Sequence, residues 1–405
     1  MSEEARAFLE ELLPKRADVD GKRSFIESLF ALKKRIALHE IDAPKITGFS
    51  TEGSADKVSL ILVPLIASTG ITAPKFSEHE IIANNSALAK LKSIPGLQTL
   101  FNPEEIKSQL SKTGAAVLSV PEPIRSFFKK IYPSEDIVPL KDSKKLLCAI
   151  TAIILISELK GAVFDIKICD GAFIKNVQNA RNMAKSLKKI CLQMNIHFSY
   201  ILSNMDQPLG QAIGNSLELI EVLEILKGNG PLDVLKIVLE FGTEMLLLTE
   251  NVSNRTEAKK YLKSKIVNGE ALEKFKEIIE AQKGNARIID DYSILPIANE
   301  RIEIASQKKG YVQNIKIDQI HSVGKELGIF SKKSACPVDH GSGFLIHKKI
   351  GDWVEKDDVL SEAYFDNIKD RSWIDRELSE AFVISRNPSD FRPFIIERNS
   401  EKAEL

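Results

Sequence analysis

What most constrains this chain is an alternation that sets in near residue 57. Compact runs rich in Val, Ile and Phe recur at VSLILVPLIAS (58–68), AAVLSV (115–120), GAVFDIKI (161–168) and HFSYILS (197–203). Between them lie segments of helical spacing, such as NVQNARNMAKSLKKICLQM (176–194), which reads as one surface helix. Strand, helix and strand in turn predict a largely parallel sheet covered by helices, with AAVLSV and HFSYILS in the same sheet. VSLILVPLIAS reads as a buried strand of that sheet. Ahead of it, Phe8, Leu9 and Leu12, then Phe25, Ile26, Leu29 and Phe30, mark two short amphipathic helices within residues 5–37. Behind it, the polar stretch 256–284 reads as helical. From about residue 300 the chain becomes strand-like and rich in turns, with Gly351-Asp352 at one of them.

Bulk numbers narrow the function classes. At 405 residues the chain can build two or three cores. Lys plus Arg and Asp plus Glu balance at 56 each, so net charge argues for neither nucleic acid nor an anionic membrane as partner. The cysteines Cys148, Cys169, Cys191 and Cys336 lack metal or redox spacing and read as isolated thiols of a reducing compartment. No uncharged run is long enough to span a bilayer, and no leader pattern is visible, so a cytoplasmic location is expected.

One stretch poses a chemical question. TGFSTEGSAD (47–56) has the small and hydroxyl residues of a phosphate-binding loop, yet Glu52 and Asp56 put negative charge where a phosphate would sit. The answer depends on SNMDQPLGQAIGNSLELIEVLEILKG (203–228), together with KLKSIPGL (90–97), IKICDGAFIKN (166–176), AQKGNARIID (281–290) and GSGFLIHKKIGDWV (341–354). In order and spacing these segments resemble the thymidine and pyrimidine-nucleoside phosphorylase family over roughly residues 45–365. The resemblance implies an α/β fold: a small helical lobe (1–45 and 127–160), a large lobe with a mainly parallel sheet (46–126 and 161–300), and a C-terminal α+β portion (301–405). It implies a cleft between the lobes, dimerisation through the helical lobe, no cofactor, no metal, and phosphorolysis of pyrimidine nucleosides. The fold is shared with anthranilate phosphoribosyltransferase. Within 203–228, Pro208 and Gly210 set a turn, and Asp206, Glu218 and Glu221 read as architectural rather than catalytic.

The family's cleft motifs fit less well. Its phosphate loop resembles K-x-S-T-G-G-V-G-D. Here the lysine falls on Gly48, the first glycine on Glu52 and a later one on Ala55, while Ser50 and Thr51 remain. In S-G-R-G-L-G-H-T-G-G-T-x-D-K-L, Ser77 matches, the arginine becomes His79 between Glu78 and Glu80, and the threonine becomes Ala87. Ser59 matches a third hydroxyl contact. The arginine, serine and lysine that read the base fall near Glu135, Ile153 and Ser157. Each hydrogen bond to a charged group contributes about 1.5–3 kcal/mol, so four lost partners remove several powers of ten in transition-state binding. Lys57 and Lys75 are conceivable substitute cations, although each reads more simply as a strand-end lysine.

These residues lead to a pseudoenzyme that keeps the fold and serves as a structural or protein-binding subunit, in a homodimer or in a heteromer with another protein. A weakly bound nucleoside or sugar is the small-molecule ligand left open. The alternative is a diverged nucleoside phosphorylase or glycosyltransferase with a changed substrate, in which His79 is the candidate acid/base. On the first reading phosphate binds weakly or not at all, and changing Glu52 to Gly with Gly48 to Lys improves binding.

Overall fold

The computed structural model of the chain describes residues 3–13, 17–51, 57–77, 87–131, 143–169, 174–249, 251–330, 338–366, 370–389 and 393–399. The described elements run in the order α1 (Glu3–Leu12), α2 (Val19–Ile36), β1 (Ile46–Ser50), α3 (Val58–Ala67), β2 (Ala73–Phe76), α4 (Ala87–Leu91), α5 (Pro103–Thr113), β3 (Ala115–Leu118), α6 (Glu122–Ile131) and α7 (Ser143–Ser157). They continue through β4 (Gly161–Ile168), α8 (Val177–Gln193), β5 (His197–Asn204), β6 (Ala212–Ile213), α9 (Asn215–Leu226), α10 (Leu232–Leu247), α11 (Arg255–Val267) and α12 (Glu270–Ala281). The remaining ones are β7 (Glu300–Ala305), β8 (Gly310–Ile315), α13 (Ile317–Glu326), β9 (Gly343–Ile346), β10 (Trp353–Val354), β11 (Val359–Phe365), α14 (Arg371–Ala381), β12 (Phe382–Ser385) and β13 (Ile395–Arg398).

The two N-terminal amphipathic helices form as their spacing predicts. Asp18 caps α2 by accepting from the Gly21 amide at 2.6 Å. Segment 256–284 divides into α11 and α12 at Asn268–Gly269, where Gly269 takes a positive φ of 81°. β1, β4 and β5 pair in parallel, and β13 adds antiparallel to the outer edge of β5.

Three expectations need correction. VSLILVPLIAS is the helix α3 rather than a strand. It is apolar on nearly every side and buried, so no face remains to reveal its period. The strand before it is instead ITGFS, so residues 47–50 of the expected loop 47–56 are strand. AAVLSV and HFSYILS do not share a sheet: β2 and β3 form a separate parallel pair, joined to β1 by the single bridge Lys45–Thr72. Beyond that bridge the Gly48 carbonyl, which faces β2, accepts from the ammonium of Lys75 at 2.9 Å. β2 also carries Pro74, which has no N–H to donate, so regular pairing does not extend past the bridge.

One apolar core joins α1, α2, α6, α7 and α8 to a face of the central sheet through Phe49, Phe164 and Ile166. A second lies on the other face, among α3, α9, α10 and α12. A third belongs to the segment after residue 300 and packs between its strands and the helices α13 and α14. Among the described residues, no helix is long and apolar enough to cross a membrane.

Candidate functional site

The parallel strands β1, β4 and β5 end together at Ser50, Ile168 and Asn204, the edge of a parallel sheet where ligand sites form. Two charges interrupt the apolar run of β4 at this edge. Asp165 and Lys167 lie two residues apart and so share a face, and both are fully buried. The Lys167 ammonium donates to Asp165 Oδ2 at 2.6 Å, and Ser203 Oγ donates to Asp165 Oδ1. The Lys167 amide donates to Thr51 Oγ1 at 2.9 Å, and the Thr51 amide to the Asp165 carbonyl at 3.0 Å. Thr51 is therefore a structural stitch between strands, and Ser50 sits in register with Asp165. The signal for this cluster was the D-x-K alternation inside an otherwise apolar strand.

Gly48 faces the second core. A Cβ built there would stand 2.8 Å from Phe241 Cζ and 3.1 Å from Leu62 Cδ2. A lysine at this position would therefore meet Phe241 and Leu62 in the core. Neither substitute cation faces outward as a strand-end lysine would. Lys57 is fully buried at the N-cap of α3, ion-paired with Glu221 and donating to the Ala212 carbonyl at 2.8 Å. Lys75 is also buried, with its ammonium on the Gly48 carbonyl and 5.3 Å from the Phe49 ring centroid.

The remaining candidates are scattered in environment. Ser59 is half-buried in the first turn of α3. Ser77 is buried just past β2, its amide donating to the Leu118 carbonyl at 2.9 Å. Ala87 opens α4 and is buried. Ile153 and Ser157 lie on α7, both fully buried, and Ser157 Oγ has no hydrogen-bond partner among the described residues. Glu52, Ala55, Asp56, Glu78, His79, Glu80 and Glu135 lie outside the described residues, as does Cys336.

The turn before α9 is held by charges in a way consistent with an architectural role. Glu221 accepts from the amides of Gln211 (2.6 Å) and Ala212 (3.1 Å), and Glu218 accepts from Gly214 at 3.2 Å. Lys90 reaches Glu218 at 3.3 Å. Gly214 has φ of 120°, and a Cβ there would lie 2.6 Å from the Ser342 carbonyl oxygen, so only glycine fits this junction. Lys349 donates to the carbonyls of Pro208 and Gly210, and burial holds its pKa below the ordinary lysine value. The turn is thereby tied to the segment after residue 300. Among the described residues, no three His, Cys, Asp or Glu side chains gather as ligands for a metal ion. The described cysteines are free thiols.

Residues 44–272 match the family described as "Glycosyl transferase family, a/b domain", which gives the class. The pyrimidine-nucleoside phosphorylase of Geobacillus stearothermophilus is 32% identical over 354 residues, 87% of this chain and 82% of that one. The protein of the same name from Bacillus subtilis (strain 168) is 31% identical over 330 residues, 81% and 76% of the two chains. This chain belongs to the pyrimidine-nucleoside phosphorylase family. The crystal structure of anthranilate phosphoribosyltransferase (TrpD) from Thermus thermophilus superposes with a TM-score of 0.45 at 10% identity, covering 70% of this chain and 95% of that one.

Proposed function

We propose that this chain is a non-catalytic member of its family, a cytoplasmic pseudoenzyme acting as a structural or protein-binding subunit in a homodimer or a heteromer. The observation that carries the reading is the fate of the lysine position in the phosphate loop. Gly48 is sealed against Phe241 and Leu62, and the nearby Lys57 and Lys75 are buried on carbonyls and carboxylates. Ile153 and Ser157, near which the resemblance puts the base-reading residues, are likewise buried inside a helix packed in the first core. Among the described residues, Gly48 supplies no cation and Lys57 and Lys75 are engaged inside the protein, which supports the reading.

The test is phosphorolysis of thymidine, uridine and deoxyuridine, with phosphate titrated calorimetrically. No turnover and no phosphate binding tighter than millimolar are expected. Turnover within about a hundredfold of an ordinary family member, or micromolar phosphate affinity, refutes the reading. A pull-down from the native host then identifies a protein partner. One observation favours the second reading, a glycosyltransferase with altered substrate: the Asp165–Lys167 pair lies at the carboxyl edge of the sheet. Release of free base from any nucleoside in the same assay would promote it.

A further inference from the structure

A histidine sits at the junction between α9 and the loop that enters β9. The His340 carbonyl accepts from the Ser216 amide at 3.2 Å, and its ring Nδ1 lies 3.0 Å from the Asn215 side-chain nitrogen. Asn215 and Ser216 are the first two residues of α9, so the imidazole stands at the positive end of that helix. The Asn215 NH2 donates to Nδ1 only while that nitrogen keeps its lone pair, as in a neutral ring with its proton on Nε2. The backbones meet closely on either side. A Cβ at Gly343 would stand 2.5 Å from the Ile213 carbonyl oxygen, and the Ile346 amide donates to the Gln211 carbonyl at 2.8 Å.

A proton on this ring is out of place. Burial holds its pKa below the ordinary histidine value of 6.5, and Lys92, just past α4, adds to the effect. Asp339 opposes it, but that carboxylate is turned into its own loop. It accepts from the amides of Gly341 at 2.8 Å and Ser342 at 3.3 Å, and from the Ser342 hydroxyl at 2.6 Å. α9 presents the neutral Asn215 and, one turn on, Glu218, which is taken up by the Gly214 amide and Lys90. Ala298, bonded to the Gly341 carbonyl at 3.1 Å, is uncharged. Turning the Asn215 amide over would suit a protonated Nδ1, but burial, Lys92 and the helix end would still disfavour the charge.

We propose that His340 is an acid-released latch: the neutral ring holds residues 338–346 on the first turn of α9, and a proton on it opens that junction while the sheet β1–β4–β5 stays closed. The sign follows from where the proton is better held. Opening puts the ring in water, where it takes a proton more readily than it does against α9. The latch is therefore fully engaged above about pH 6.5 and weakens as pH falls below that value. For a single proton the loss is at most about tenfold per pH unit.

Hydrogen exchange of the full-length chain between about pH 5 and pH 7.5, corrected for the intrinsic rate, tests the latch. Protection in peptides covering 212–217 and 343–347 is expected to fall severalfold relative to β4 as the pH drops from about 7 to about 5.5. His340→Asn keeps an amide facing Asn215 but cannot titrate, and is expected to flatten this dependence. His321 on α13 is the control, since burial also holds its pKa below the ordinary value and its ring packs on Phe330 rather than on α9. His321→Phe is expected to leave the dependence at the junction in place. Equal pH dependence at the junction and in β4 overturns the proposal. So does a dependence that survives His340→Asn or disappears with His321→Phe. A second measurement needs no variant: exchange of the His340 Cε1 hydrogen, read by mass spectrometry, is expected to give a titration midpoint below about pH 6.5. A midpoint at or above that value also overturns the proposal.

Discussion

Rebuilding the phosphate loop by Gly48→Lys should fail, and by a calculable margin. The new Cβ would lie 2.8 Å from Phe241 Cζ and 3.3 Å from Cε2, closer than ordinary side-chain contacts. Overpacking of this kind costs about 1–3 kcal/mol. The rest of the lysine would enter a core lined by Phe241 and Leu62, where an unpaired ammonium costs about 3–5 kcal/mol more. The sum, roughly 4–8 kcal/mol, is comparable with the whole stability of a typical domain, about 5–15 kcal/mol. Gly48→Ala separates the two effects, because it adds the clash without the charge. Its net loss should be at most about 2.5 kcal/mol, since replacing glycine in a strand recovers about 0.5–1 kcal/mol of the overpacking cost as backbone entropy. Urea unfolding at neutral pH, followed by circular dichroism, measures all three chains. A Phe241→Leu background should return part of the alanine loss, because it removes the ring carbons in the way. If Gly48→Lys unfolds at the parent's midpoint and binds phosphate more tightly, the placement of β1 against α10 is refuted.

Other perturbations follow from the buried charges and thiols. Lys57→Met leaves Glu221 buried without its ammonium partner and should cost about 3–5 kcal/mol in urea unfolding. Adding Glu221→Gln should recover part of that loss, and no recovery would show that the pair is not the cause. Burial pushes the Cys148 thiol up to about 12 from an ordinary value of 9.0, and raises Cys191 as well. Above pH 9 the unfolded chain therefore releases protons that the folded chain keeps, and stability falls as pH rises. The slope is about 1.4 kcal/mol per pH unit for each thiol. Urea midpoints between about pH 8 and pH 10.5 should show it, and replacing both cysteines by alanine should flatten it.

The parts of the fold legible in sequence were those with one apolar and one polar face. The surface helix 177–193 and the helices near the N-terminus carry a stripe that fixes their period. α3 carries none, because it is buried nearly all round, and its length alone does not separate helix from strand. The family motifs located Gly48, Ser50 and Ile153, but their surroundings needed coordinates. Nothing local in the sequence says that Lys57 finds Glu221 and Ala212 more than 150 positions away. A lysine followed by an apolar run looks like a solvated strand end, and here it is an internal counter-ion. β13 is not legible either, since four residues give too short a window for alternation to register.

The break between the two parallel sheets has a mechanical consequence. Among the described residues the ladder between β2–β3 and β1–β4–β5 is reduced to a single bridge, with Lys75 on the Gly48 carbonyl beside it, while the two groups remain joined by apolar packing in both cores. A continuous ladder transmits shear stiffly from strand to strand, whereas a long side chain in a rotameric well yields by rotation. The sheet therefore has a seam. Displacements arising near β3 and α5 can be absorbed between residues 48 and 75 instead of reaching the Asp165–Lys167 edge. Hydrogen exchange should detect this as two cooperative units that open at different free energies, with the boundary at Lys75.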